Sequence, residues 1–141
     1  VHIRNLDRDN LRHENGLDAQ RLLPWPALNA PFEGSWCIVK PGTASIPHAH
    51  HDYEIFIALT GTAVLETGGR RRSFAAGDIA YFEPGTEHSV VNESTDQDFE
   101  MYSIWWDPGM ADTFRDRHGR TTDGPALAPA GVHRSSRLEA P

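Results

Sequence analysis

Apolar residues in this chain come in short runs dominated by β-branched and aromatic side chains. Between residues 34 and 107 the runs SWCIVKPG, YEIFIALTG, TAVLETGG, FAAGDIAYFEPG, HSVVN and FEMYSIWWDPG follow one another, broken by Gly, Pro, Asp or Asn. Short segments of period two with turn residues at regular spacing predict an all-β sandwich or barrel. Thr67, Gly68 and Gly69 predict a hairpin turn, since glycine accepts the positive φ that such turns require. Residues 99–106 alternate strictly, so one parity lines the barrel; the alternation leaves open which.

The flanks read differently. Residues 1–33 are expected to form an extension: a short strand at 1–6, then a helical turn over 17–23 stopped by Pro24 and Pro26. Trp25 is expected to anchor the extended LPWP segment to the body. The barrel itself is assigned to 34–107. Residues 108–141 are expected to hold a helix of two turns at 110–117 and a flexible tail rich in Gly, Pro, Ala and Ser. That tail has the composition of a linker to a further segment.

Length and charge narrow the classes. With 141 residues there is enough chain for one hydrophobic core and too little for two ordinary ones. A net charge of -7 excludes a nucleic-acid partner, which needs a basic face to neutralise phosphates. No apolar run approaches the ~20 residues that span a bilayer, so no membrane partner is expected. The opening residues carry no signal pattern and no initiator Met, as expected of an excised or processed chain. Cys37 is the only cysteine, which rules out an internal disulfide and favours a cytoplasmic setting. A buried, inert thiol is the expectation for it, and a pocket thiol near a metal is the alternative. Arg70, Arg71 and Arg72 follow the hairpin turn and are expected to be solvated; the alternative is a docking point for an acidic partner or phosphate.

Two stretches carry chemistry. Residues 42–61 read GTASIPHAHHDYEIFIALTG and residues 77–92 read GDIAYFEPGTEHSVVN, with fifteen residues between them, enough for one hairpin. On an extended strand His48 and His50 project from the same face, and His51 should face away. Glu54 supplies a carboxylate from the next strand, and His88 comes from a separate hairpin. Three neutral imidazole nitrogens and one carboxylate suit one divalent ion: Zn, Fe, Mn, Ni, Co or Cu. Such an ion can still take water or substrate, the condition for catalysis at a metal.

These spaced residues, with Gly42, Gly61, Gly77, Gly85 and Asn92, resemble the two motifs of the cupin superfamily. The resemblance implies a double-stranded β-helix, or jelly-roll barrel, with His48, His50, Glu54 and His88 as ligands of one metal ion. Glu83 stands where the family pattern expects proline, a departure that alters a turn and no ligand. The HAHHDYEIF, FEPGTEH and MYSIWWD segments are also similar to the cupin partner of methionyl-tRNA-synthetase-like domains in bacterial hydrazine synthetases. That likeness implies a zinc centre that rearranges an aminoacyl ester of an N-hydroxylated amine into an N–N bond, with Glu54 as catalytic residue. Other readings stay open: an Fe or Mn dioxygenase, an isomerase, or a barrel that binds a small molecule without turnover. A small-molecule substrate is the expected partner; a synthetase-like domain and a second copy of the chain are further candidates.

Overall fold

The structure is a computed structural model that describes residues 1, 3, 5–23 and 30–119. Two antiparallel sheets face one another. The strands are β1 (Arg12–Glu14), β2 (Leu17–Arg21), β3 (Glu33–Val39), β4 (Tyr53–Thr60), β5 (Thr62–Thr67), β6 (Arg70–Ala75), β7 (Ile79–Phe82), β8 (His88–Val91) and β9 (Phe99–Trp106). One sheet runs β1-β2-β3-β9-β4-β7 and the other β6-β5-β8. This is the all-β barrel that the turn spacing predicts, in the jelly-roll form that the resemblance to the cupins implies. The β5–β6 hairpin pairs Thr67 with Arg70 across Gly68 and Gly69, whose φ angles of 56° and 70° are those a two-residue primed turn demands.

Alternation decides the core. Phe99, Met101 and Ser103 of β9 are buried, so odd parity faces inward, and Phe56 and Ala58 meet them from β4. One end of the barrel is closed by apolar contacts among Val39, Ala63, Phe74, Val90 and Phe99. Asn92, 1% exposed, locks the chain there: its amide donates to the carbonyls of Val39 and Gln97 at 2.9 and 2.7 Å.

The flanks depart from expectation. Residues 17–23 do not make a helical turn; Leu17–Arg21 is strand β2, paired with β3 from Asp18↔Ile38 to Arg21↔Ser35. Pairing with β3 on one edge and β1 on the other, with burial of Ala19 and Gln20, overrides the weak local preference. The large sheet therefore begins at residue 12, inside the stretch read as an extension. The described residues among 1–6 form no strand; the first element is a single 3-10 turn, Arg8–Asn10, capped by Asp7. This segment covers the outer face of β3 and β9. Arg8 lies 5.0 Å over the Trp36 ring and pairs with Glu100, and Gln20 accepts the Asp7 amide at 2.8 Å. Pro24, Trp25 and Pro26 lie outside the described residues, as does the tail from residue 120.

The expected C-terminal helix is present as α1 (Pro108–His118). Asp107 caps it by accepting the amides of Gly109 and Met110 at 2.7 and 3.3 Å, and Pro108 opens its first turn. Among the described residues no helix is long and apolar enough to cross a membrane.

Candidate metal centre

The end of the barrel opposite the apolar closure is built by two loops. The segment before β4 meets β8 through isolated bridges at Ala44↔Val91 and His48↔His88. His48 thus sits beside His88 in extended backbone, but His50 lies outside any strand. Its place is set by the second motif instead: the Gly85 amide donates to the His50 carbonyl at 2.7 Å. Gly85 has φ of 80°, a turn geometry that suits glycine. The two histidines therefore converge through loop geometry rather than through strand alternation alone; Pro47, without an N–H, interrupts the ladder between them and the sheet. Glu54 projects inward from β4 and His88 from the start of β8.

The four side chains come together. One ligand atom from each of His48, His50, Glu54 and His88 lies within 4.8 Å of the others, so the group could hold a metal ion. Glu54 and His88 are buried, while His48 and His50 are partly exposed toward the cavity. His51 points to solvent beside Asp52, 3.4 Å away, in keeping with its expected outward face.

The hydrogen bonds fix which nitrogen of each ring is available. Nδ1 of His48 donates to the Ile46 carbonyl at 2.9 Å, Nδ1 of His88 to Thr86 at 2.9 Å, and Nδ1 of His50 to Asp52 at 3.2 Å. With Nδ1 occupied by its proton, Nε2 of every ring carries the lone pair, the tautomer that metal-binding histidines adopt. Those nitrogens face a carboxylate: Glu54 Oε2 is 2.7 Å from His50 Nε2 and 3.0 Å from His88 Nε2. Contacts this short need a proton or a metal ion between nitrogen and oxygen, and the group is placed to take either. His88 Nε2 is buried and has no hydrogen-bond partner among the described residues, because its approach to Glu54 lacks hydrogen-bond geometry. Two ligands of one ion at about 2.1 Å stand roughly 3 Å apart, so these spacings fit a shared divalent metal.

Ser103, from the inward parity of β9, donates to Glu54 Oε1 at 2.5 Å and leaves Oε2 to face the histidines. Burial by itself would raise the Glu54 pKa, but His88, Ser103 and His50 outweigh it and hold the carboxyl below its ordinary range. Ser103 belongs to neither of the two motifs that carry the ligands. Its signal was the alternation of residues 99–106, which becomes informative only once the inward parity is known.

The group opens into a cavity of about 260 Å³, whose walls include Phe56, Met101 and Trp105. Cys37 also lines it, while being only 3% exposed. Burial, reinforced by the Glu54 charge, pushes its thiol up to about 12, so it stays protonated and unreactive at neutral pH. Arg71 pairs with Glu66 and Glu93 on the exposed surface of β6, which fits the solvated reading of the arginine run.

Fold, paired motifs and ligand group define a single-centre β-barrel of the cupin kind. Residues 35–105 match the Cupin domain family, and the chain belongs to it. A cupin 2 conserved barrel domain protein from Salinispora arenicola is 58% identical, with 84% of this chain and 98% of that one aligned at a TM-score of 0.73. A Photorhabdus luminescens protein is 41% identical over the same shares, also with a TM-score of 0.73. The beta-alanine degradation protein BauB of Pseudomonas aeruginosa is 39% identical over 57 residues, which are 38% of this chain and 60% of BauB.

Proposed function

We propose that the protein is a mononuclear metal-dependent enzyme acting on a small polar metabolite, with His48, His50, Glu54 and His88 as the ligands. One observation carries the reading: three imidazoles, each with Nδ1 committed to a main-chain carbonyl, turn Nε2 toward one carboxylate at the end of a cavity. A divalent ion bound there supplies Lewis-acid polarisation of a substrate oxygen. The remaining work falls to the chain. Ser103 orients Glu54, and the apolar side chains of Phe56 and Met101 restrict water around the reacting atoms.

In its most specific form, the metal is zinc and the reaction rearranges an aminoacyl ester of an N-hydroxylated amine. The α-amino nitrogen bonds to the N-hydroxylated nitrogen as the N–O bond breaks, and the electron pair leaves on the carboxylate. Glu54 is the ligand able to give up its place as the substrate oxygen arrives, and its freed Oε2 would then take the proton that the amino nitrogen gives up. Support comes from the likeness of the HAHHDYEIF, FEPGTEH and MYSIWWD segments to hydrazine-synthetase cupins, and from a walled cavity that would slow ester hydrolysis.

Glu54→Gln tests this. It keeps one oxygen ligand and removes the base, so metal should be retained, though more weakly, while turnover falls ~100-fold or more. The assay supplies an N-hydroxylated amine, an activated amino acid and a synthetase-like partner, and detects hydrazine product by mass. Unchanged product from the variant would remove Glu54 from the mechanism. No product with any such partner would reject the N–N bond reading and leave a metal cupin of another reaction.

A further inference from the structure

Strand register lays a single polar row across the floor of the cavity. Arg21 of β2 stands opposite Ser35 of β3, Ser35 opposite Ser103 of β9, and Ser103 opposite Phe56 of β4. The parallel row two residues along is apolar or nearly so: Ala19, Cys37, Met101 and Ala58. Both serines are buried, at 2% and 6% exposure, where a hydroxyl is retained only if it has a partner. Ser103 turns toward Glu54 and the histidine group. Ser35 turns the other way, accepting from Arg21 Nη1 at 2.6 Å.

Arg21 is built to hold a fixed position at the mouth. Its guanidinium lies 5.4 Å from the centroid of the Trp105 ring, within reach of a cation–π contact. Nη1 also meets the Glu14 carboxylate. The other edge, Nε and Nη2, makes no hydrogen bond among the described residues. Among these residues no other lysine or arginine lines the cavity. A planar cation with one edge committed and one edge open matches the two oxygens of a carboxylate, which it can bind in a bidentate fork.

Resting on the metal-centre reading above, we propose that Arg21 is a substrate-binding residue and that the substrate is a small organic acid lying along the Arg21–Ser35–Ser103 row. Its carboxylate sits on the open edge of Arg21, and its reacting end reaches the His48, His50, Glu54 and His88 group. Strand spacing sets the length. From the guanidinium over β3 to Glu54 on β4 is two strand spacings, roughly 10 Å. Subtracting about 3 Å for the guanidinium–carboxylate contact and about 2 Å for a metal–ligand bond leaves roughly 5 Å, a spacer of three or four atoms. Glu14 competes for the same cation, so it sets how strongly the site prefers an anion.

Calorimetric titration of zinc-loaded protein with two probes tests this: the monohydroxamate of glutaric acid and its neutral methyl ester of equal length. The acid should bind at least about tenfold more tightly than the ester, the scale of a charge-assisted fork. Arg21→Gln should abolish that preference, weakening the acid about tenfold more than the ester. Arg21→Lys should restore part of it, and Glu14→Gln should widen it. A purely structural Arg21 would move both probes together. Equal affinities in the unaltered protein, or a preference that survives Arg21→Gln, would overturn the proposal while leaving the metal centre standing. Failure of both hydroxamates to bind the zinc-loaded protein would show that the ion offers no open position to a substrate oxygen, and would overturn the enzyme reading and this proposal together.

Discussion

His48 and His88 exchange both main-chain hydrogen bonds, His48 amide to His88 carbonyl at 3.3 Å and His88 amide to His48 carbonyl at 3.1 Å. Residues forty positions apart in the chain are thus locked side by side, with tilted rings whose centroids are 4.8 Å apart. The backbone fixes this pair of candidate ligands without help from an ion, so side-chain truncation should remove metal without unfolding the barrel.

Metal content tests that expectation directly. Protein purified without chelator should carry close to one equivalent of a divalent first-row metal, and His50→Ala or His88→Ala should lose most of it. His13→Ala is the control, because that ring is exposed beside Asp18 and belongs to no such group. Elemental analysis with circular dichroism on each variant separates lost metal from lost fold. Full metal content in a His48→Ala/His88→Ala double variant would show that the ligand set is wrong.

Ser103→Ala removes the donor that holds Glu54 Oε1. Glu54 should then lose its orientation, and metal affinity should fall about 10- to 100-fold, as it does when the outer partner of a ligand is deleted. Competition against a chromogenic zinc chelator measures the change. An affinity equal to that of the unaltered protein would mean that Glu54 needs no help to face the histidines.

Gly16→Ala probes the β1–β2 hairpin. Gly16 has φ of +79°, and a Cβ there would lie 2.5 Å from the Ala44 carbonyl oxygen. The hairpin is also tied to this segment by the Ile46 amide, which donates to the Asn15 carbonyl at 2.8 Å. Strain and clash should destabilise the protein by ~1–3 kcal/mol. Because Glu14, Asn15 and Leu17 line the cavity, chelator should also strip zinc faster from the variant. Denaturant unfolding and the stripping rate, measured on one preparation, check both effects.

Cys37 sets an alkaline limit. The folded thiol titrates at about 12 against an ordinary 9.0, so between these values the folded state keeps a proton that the unfolded chain has lost. Its stabilising effect is complete below about pH 9 and declines as pH rises, reaching a loss of about 4 kcal/mol by pH 12. Cys37→Ala should make stability fall less steeply with pH in that window, by up to one proton in the linkage slope. Urea unfolding at stepped pH measures it, and identical slopes would place the thiol in water. Iodoacetamide at pH 8 should alkylate the protein only after unfolding.

The barrel and the four clustered side chains were legible because their signals are rare and spaced: two glycine-bounded motifs, three histidines and a glutamate at fixed offsets. The N-terminal hairpin was not. Its inward positions are Leu17, Ala19 and Arg21, a mixture without the β-branched character of a buried strand, and the nearby Leu22 and Leu23 imitate a helical spacing. Ser35, Ser103 and Arg21 were missed for a related reason. A serine or arginine facing inward looks like a surface residue until the register of four strands is known, and register is a property of the assembled sheet. His50 shows the opposite error: the expected convergence with His48 is present, but a loop held by Gly85 produces it.

The match to the Cupin domain family runs from residue 35 to residue 105 and takes in all four candidate ligands. Glu14, Asn15, Leu17, Ala19 and Arg21, which wall the same cavity, lie upstream of it. One side of the cavity wall is thus encoded apart from the ligand group and from the Phe56, Met101 and Trp105 side, so a descendant could exchange the hairpin and reshape the cavity while inheriting the four clustered side chains intact. Membership of the family then speaks for the barrel and the clustered side chains, whereas part of the cavity wall is written in a stretch that the family pattern does not reach.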